Sequence, residues 1–473
     1  MAAGRYAEAV SLYRELLRLL PGDAGVSFLL GLAELQSGAP EAAELRFEEA
    51  VKARPGHANA WLFLGLARVK LGKLDLALPS LEQAVRLDPK NPLGRLELAD
   101  ALLTRNRHAA ALGHFRALTE LDPKDARGWY GLGRCHLALS RDRFDLLERT
   151  APGSAWHHAL VGRSRLEQQQ FGSAHYYLRR ALAAKPGFRG VHAAVAEVYR
   201  RSGHNDWAAI EQEREKAAQP ADCAAAPLEC AYGDGRYTEL VENAGSRTDP
   251  ESLYWLCLAH SALSRQAFER LSGLPPSAVS HRLAAEILAL QERHAEAAAE
   301  WRKAYEMEPG NPTLALETAR SLMAAEDHRS ALPILEKLAA GSRPPADLFL
   351  LLGQCLLSLQ EPARAVPHLE RAVAGSPGDR RASAALGRAL LQSREPGRAI
   401  PHLEAALPDD TDGNLHYLLA QAHLRAGDRE TAARLIARRQ ELQQAARQLA
   451  EERDRNFRVT PPSSAVPSPA PEP

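Results

Sequence analysis

The chain has 473 residues, 25% of them charged and 45% hydrophobic, with 59 basic and 59 acidic side chains and hence no net charge. This is the composition of a folded protein, and it argues against disorder over most of the length. The missing basic excess excludes general affinity for phosphate backbones, so no nucleic-acid partner is expected. No apolar run is long enough and free enough of charge to span a membrane.

Residues 1–23, MAAGRYAEAVSLYRELLRLLPGD, read as one amphipathic helix carrying Glu8, Arg14, Glu15 and Arg18. A signal peptide needs an uncharged apolar stretch and a small-residue cleavage site, and neither is here. A period then appears. Pro21, Pro55, Pro89 and Pro123 stand 34 apart, and an alanine column runs through Ala9, Ala43, Ala77, Ala111, Ala174, Ala208, Ala297, Ala331, Ala365 and Ala399. Residues 58–91 show what one unit contains. Trp61, Leu64, Gly65 and Arg68 share one face of a first helix. Gly72 supplies a tight turn. Ala77, Leu81 and Ala84 give a second helix a narrow apolar stripe, and Pro89 ends it. The small Gly65 and Ala77 let the two helices approach closely.

The period slips twice. In 126–154 the second helix shrinks to about Arg143–Thr150, before Ala151-Pro152-Gly153. In 221–277 the units are short and hold Pro227, Gly233, Gly235, Gly273, Pro275 and Pro276. Two readings stand: degenerate repeats that keep stacking, or a hinge between two regular arrays.

The unit resembles the tetratricopeptide repeat, whose pattern is W-x2-L-G…A-x3-F…A…P. It is seen as Trp61-Leu64-Gly65…Ala77…Leu81…Ala84…Pro89, as Leu30-Gly31…Ala43…Phe47…Ala50…Pro55, and as Leu352-Gly353…Ala365…Leu369…Ala372…Pro377. One half-unit and about thirteen further units run to roughly residue 446. The resemblance implies an all-α fold, an α-α superhelix of stacked helix-turn-helix repeats in which neighbours bury each other's apolar faces. The expected organisation is an N-terminal array over 1–220 that starts mid-repeat, irregular short repeats over 221–277, a C-terminal array with a long capping helix over 278–457, and a proline-rich disordered tail over 458–473.

Nothing in the chain converges into a catalytic constellation. Cys135, Cys230 and Cys355 occupy a column of small residues and read as small hydrophobes. Cys223 and Cys230 are expected about 10 Å apart along one helix, and five cysteines in this length make no disulfide framework. Histidines are scattered. Gly128, Gly131 and Gly133 follow no strand, so they form no dinucleotide loop. An enzyme, a cofactor and a metal site are therefore not expected.

In the resembled family the first helix of each unit lines the concave side. Positions 5 and 9 then face a groove. In the first array these positions hold Phe28, Leu32, Leu62, Leu66, Leu96, Asp100, Tyr130, Arg134 and Arg163. The peptide-binding residues expected from this column are Phe28, Leu62, Leu66, Leu96, Tyr130, Arg134 and Arg163, an apolar groove with a basic end. The competing reading is that the leucines pack between repeats. The C-terminal column holds Arg282, Glu286, Leu316, Arg320, Leu350, Gln354, Arg388, Tyr417 and Gln421. The carboxylate clamp of co-chaperone repeat domains is absent from the first array, where Phe28, Leu32, Phe63, Leu93 and Glu97 hold its places. That disfavours a chaperone-tail receptor.

The function expected is a non-catalytic protein–protein interaction scaffold that binds protein or peptide segments in a superhelical groove. The alternatives are a detached substrate-recognition component of an enzyme resembling O-linked N-acetylglucosamine transferase, and a cell-envelope or secretion assembly factor. Met1 falls at about the twelfth position of a unit, so a first helix is missing before it. Either an upstream segment supplies that helix, or the exposed N-terminal helix is covered by self-association. For the same reason the compartment stays open.

Overall fold

The computed structural model describes residues 5–218, 222–341, 344 and 347–462, side chains of 453–456 excepted, and among them helices are joined by short turns with no strand. Helix starts follow from local chemistry. Asp23, Asn91 and Asp125 accept backbone N–H bonds from Val26, Gly94 and Arg127, satisfying donors that a helix start leaves free. Between the two helices of a pair the chain passes through a left-handed residue. Gly38, Gly72, Asn106, Gln169, Gly203, Glu292, Glu326, Gln360 and Arg394 all have φ between 56° and 86°. The following N–H then closes the helix end, as Lys73 does on the Arg68 carbonyl at 2.9 Å.

The chain divides into two compact units, the first formed by residues 1–168 and 177–275, the second by 169–176 and 276–473. The chain opens with α1 (Tyr6–Leu19), then the pairs α2 (Ala24–Gln36) and α3 (Pro40–Ala53), α4 (Ala58–Lys70) and α5 (Leu74–Leu87), and α6 (Pro92–Thr104) and α7 (His108–Leu121). After the long α8 (Ala126–Thr150) come α9 (Ala155–Glu167), α10 (Phe171–Ala184), α11 (Val191–Arg201), α12 (Asn205–Ala217), α13 (Pro227–Gly233), α14 (Tyr237–Ala244) and the long α15 (Pro250–Ser272). The second unit carries α16 (Ala278–Leu290) and α17 (His294–Met307), α18 (Pro312–Ala324) and α19 (His328–Ala339), α20 (Leu348–Ser358) and α21 (Pro362–Gly375), α22 (Arg380–Gln392) and α23 (Pro396–Ala406), and α24 (Asn414–Ala426) and α25 (Arg429–Asn456).

Within a pair, the repeat glycine of the first helix meets one large side chain of the second. A Cβ on Gly65 would lie 2.5 Å from Leu81 Cδ2, and one on Gly353 2.3 Å from Leu369 Cγ. Both leucines are wholly buried. Of the alanine column, Ala43, Ala77, Ala111, Ala174, Ala297, Ala331, Ala365 and Ala399 are at 0% exposure, as the sequence predicts for the closest helix contact. α25 joins the array through its first turns: Ala432 is buried and Leu435 packs on the core, whereas Leu449 is 69% exposed; just past its end the Phe457 ring meets Tyr176, centres 5.2 Å apart. Of the expected tail, residues 463–473 lie outside the described residues.

Two features differ from the sequence reading. Residues 126–150 form one uninterrupted helix where a shrunken second helix was expected. α8 instead packs in the first unit against α15, far along the chain. Ser140 Oγ donates to the Cys257 carbonyl at 2.9 Å, Ser264 Oγ to the Gly133 carbonyl at 2.9 Å, and His136 and His260 meet Nδ1 to Nδ1 at 3.0 Å. The second correction concerns Cys223 and Cys230. They form a disulfide with Cα atoms 5.6 Å apart rather than lying far apart on one helix. Pro227 sets the helix start at α13. Cys223 is thus left in the preceding turn, where the Ala225 and Ala226 N–H groups bond Asp222 O and fold the chain back over the helix.

Candidate functional site

On α22, Arg381, Ala384, Ala385, Arg388 and Gln392 recur every three or four residues and so share one face. Arg381, Arg388 and Gln392 are exposed on that face, while Ala385 belongs to the core that Leu386, Leu390 and Leu391 fill from the other sides. The face floors a cavity of about 830 Å³ in the second unit. α20 contributes Gln354, Leu357 and Ser358, the following turn Gln360, and α24 the residues Asn414, Leu415 and Leu418. An adjoining cavity of about 600 Å³ shares Gln360 and Gln392 and adds Pro362, Arg394, Pro396 and Arg425. The lining of both holds four arginines and no carboxylate.

The arginines are held differently. Arg425 donates to the Leu391 carbonyl at 2.6 Å. Arg381 is tethered on one side by Asp379 at 3.3 Å. Arg388 is exposed and makes no hydrogen bond or ion pair among the described residues. Guanidinium groups pair with carboxylates in a fork, and side-chain amides both donate and accept. An extended peptide backbone offers donors and acceptors in alternation. The small Ala384 and Ala385 let such a backbone come close to the floor.

The sequence-predicted residues of the first array are spread along α2, α4, α6, α8 and α9. Leu62, Leu96 and Tyr130 are 2%, 8% and 7% exposed, their surface spent on packing. Phe28 is partly buried in an aromatic group with Phe47, Phe63 and His57. Leu66 packs on the core edge. Arg134 stands exposed with its guanidinium 5.5 Å from the Tyr130 ring centre. Arg163 donates to the Gly190 carbonyl at 2.8 Å. In the C-terminal column, Leu316 and Leu350 are buried, Arg282 pairs with Glu286 at 3.1 Å, Arg320 pairs with Glu317 and Asp347, and Tyr417 lies under Arg439. Gln354 and Arg388 are the members of that column that line the cavity.

Sequence reasoning missed Arg381, Ser358, Gln360, Gln392 and Asn414. The signal was present: positions 2 and 13 of a first helix lie on the same stripe as positions 5 and 9. It missed Glu97 as well. On α6, burial first and the neighbouring Asp100 second push its carboxyl up to about 7, against the pull of Arg127 and Lys70.

The family models agree with this architecture. Two tetratricopeptide repeat models match, one over residues 1–46, 28–92 and 316–380, the other over 68–135 and 356–416. The chain belongs to the tetratricopeptide repeat family. No curated protein matches it. Among solved structures it is similar to YrrB, described as a repeat protein of this family with an unusual peptide-binding site, at 22% identity over 38% of this chain and 92% of that one, with a TM-score of 0.32. A MamA structure is 21% identical over 36% of this chain and 98% of its own, with a TM-score of 0.33. The repeat domain of P58(IPK) is 17% identical over 88% and 99%, with a TM-score of 0.23. No helix among the described residues is long and apolar enough to cross a membrane.

Proposed function

We propose that the protein is a non-catalytic scaffold whose second unit holds an extended, acidic peptide or protein segment across α20, α22 and α24. The observation that carries this reading is the cavity lining: four arginines, no carboxylate, and amides at Gln354, Gln360, Gln392 and Asn414. Arg388 would take the ligand's carboxylate, because it has no partner of its own among the described residues. Arg381 would take a second one at the price of loosening Asp379. The amides would bond the ligand backbone, and Leu357, Leu415 and Leu418 would receive one apolar side chain. The test is a random peptide library displayed against the full chain and against Arg381→Glu/Arg388→Glu. Enrichment of Asp and Glu on the natural chain alone supports the proposal. Equal enrichment on both refutes it.

The self-association expected of α1 belongs to the same proposal. Its outward stripe stays open, with Leu12 66% and Leu19 77% exposed. Light scattering on the chain and on Leu12→Gln/Leu19→Gln decides this: an identical mass for both at high concentration removes α1 as a contact.

A further inference from the structure

α8 and α15 carry the same motif. His136-x-Ala138-Leu139-Ser140-Arg141-x-x-Phe144 on α8 matches His260-x-Ala262-Leu263-Ser264-Arg265-x-x-Phe268 on α15, with the two histidines 124 residues apart. The copies pair with each other. Gly133 meets Ser264, His136 meets His260, and Ser140 meets Cys257. Each step forward along α8 is a step back along α15, so the helices run antiparallel about a local two-fold centred on the histidine pair.

The same comparison explains why neither helix turns. Ser140 and Ser264 stand fifteenth in their units, where Gly38, Gly72 and Asn106 make the left-handed turn of other repeats. Both serines are helical and buried, and each bonds the opposite helix. Each long helix therefore lacks a second helix of its own and takes it from the other. The Phe268 ring lies over Gly133, where a Cβ would come within 2.4 Å, as Leu81 lies over Gly65. An ordinary second helix would leave the serine hydroxyls and the histidine pair without partners in a buried seam, which is costly. The seam accepts its own motif and disfavours others.

We infer that this seam is an exchange interface whose partner is a second copy of this chain, α8 of one copy taking α15 of the other. A pair built from one motif about a two-fold is self-complementary, which is the property of an isologous contact. Exchange re-forms between two chains the α8–α15 contacts that the single chain makes. Both ends of the intervening segment leave through glycine turns suited to redirection, at Gly153 (φ 77°) and Gly245 (φ 51°). The seam is independent of the arginine-lined cavity and of α1.

The structure supplies the reporter, because Ser140 Oγ lies 3.2 Å from Cys257 Sγ. Two differently tagged copies of full-length Ser140→Cys are unfolded in urea, refolded together over a range of concentrations, oxidised, and separated without reductant. The result expected is that the two tags co-purify, with a dimer crosslinked between residues 140 and 257 of different chains whose share rises with concentration. Ser140→Cys/Cys257→Ser should lose that crosslink. The natural sequence with the same tags, scored by co-purification alone, guards against a folding defect of the variant. Tags that never co-purify in the natural sequence overturn the inference. So does a co-purifying dimer whose 140–257 crosslinks all lie within single chains.

Discussion

Adding one methyl group at Gly65 tests the pairing of helices directly. The site is filled from outside: a Cβ there would fall 2.5 Å from Leu81 Cδ2 and 2.6 Å from its Cγ. Leu81 is wholly buried, so it has no free direction in which to yield. Overpacking of this kind costs about 1–3 kcal/mol. Alanine also gains about 1 kcal/mol over glycine inside a helix. The net for Gly65→Ala is therefore between neutral and about 2 kcal/mol of destabilisation. Gly113 is the internal control. It lies inside α7 with nothing within 4 Å of its added Cβ, so Gly113→Ala should stabilise by about 1 kcal/mol. Leu81→Ala alone should cost about 2–5 kcal/mol, and the double variant less than the sum of the two singles, because the new methyl partly refills the space. Urea midpoints by circular dichroism, with amide exchange in α4 and α5, read all four chains. An upward midpoint shift for Gly65→Ala equal to that of Gly113→Ala would refute the close contact.

Three further outcomes follow from named groups. Glu97 has its folded pKa raised to about 7 from 4.5, so the folded chain holds more protons than the unfolded one between those values. Stability from this site is present below about 4.5 and is lost as pH rises through 7; Glu97→Gln should remove that loss, worth roughly 1–3 kcal/mol at pH 8, and identical urea midpoints for both chains at pH 8 would contradict it. Burial pushes His136 down to about 4 and His260 to about 3, so the unfolded state binds more protons as pH falls below 6.5. The α8–α15 seam is then at full strength above that value and weakens on acidification; His136→Gln/His260→Gln should flatten the pH 4–6.5 slope of the melting temperature, and an unchanged slope counts against the buried pair. Ala77→Leu should destabilise by about 1–3 kcal/mol through overpacking, and a urea midpoint equal to that of the natural chain would show that the helix contact lies elsewhere.

Much of the fold was legible because each repeat states its geometry locally. Gly65 and Leu81, or Gly353 and Leu369, are one glycine and one large residue at a fixed spacing, and the spacing alone puts them in contact. The long helices escaped because their partner choice is not local. The hydrophobic pattern of 126–150 is the same whether the chain turns at Ser140 or runs straight, and the decision rests on a motif repeated outside the 34-residue period. The turn column alone does not signal it, because Gln169, Glu292, Glu326, Gln360 and Arg394 make the left-handed turn where Ser140 and Ser264 stay helical. The disulfide escaped for a smaller reason: Cys223 and Cys230 look like residues of one helix unless Pro227 is taken as its start. For the candidate site, positions 5 and 9 found Gln354 and Arg388, but not Arg381 or Gln392 on the same stripe. Packing, which no column pattern weighs, encloses Leu62 and Leu96.

Amide hydrogen exchange on the full chain, with and without an acidic peptide selected by display, tests the proposed groove most directly. The account predicts slowed exchange confined to residues 348–358, 380–392 and 414–426, the first helices that line the cavity, and no slowing in the Arg381→Glu/Arg388→Glu chain. Protection that falls instead on α2, α4 and α6, or that persists in the charge-reversed chain, would contradict it.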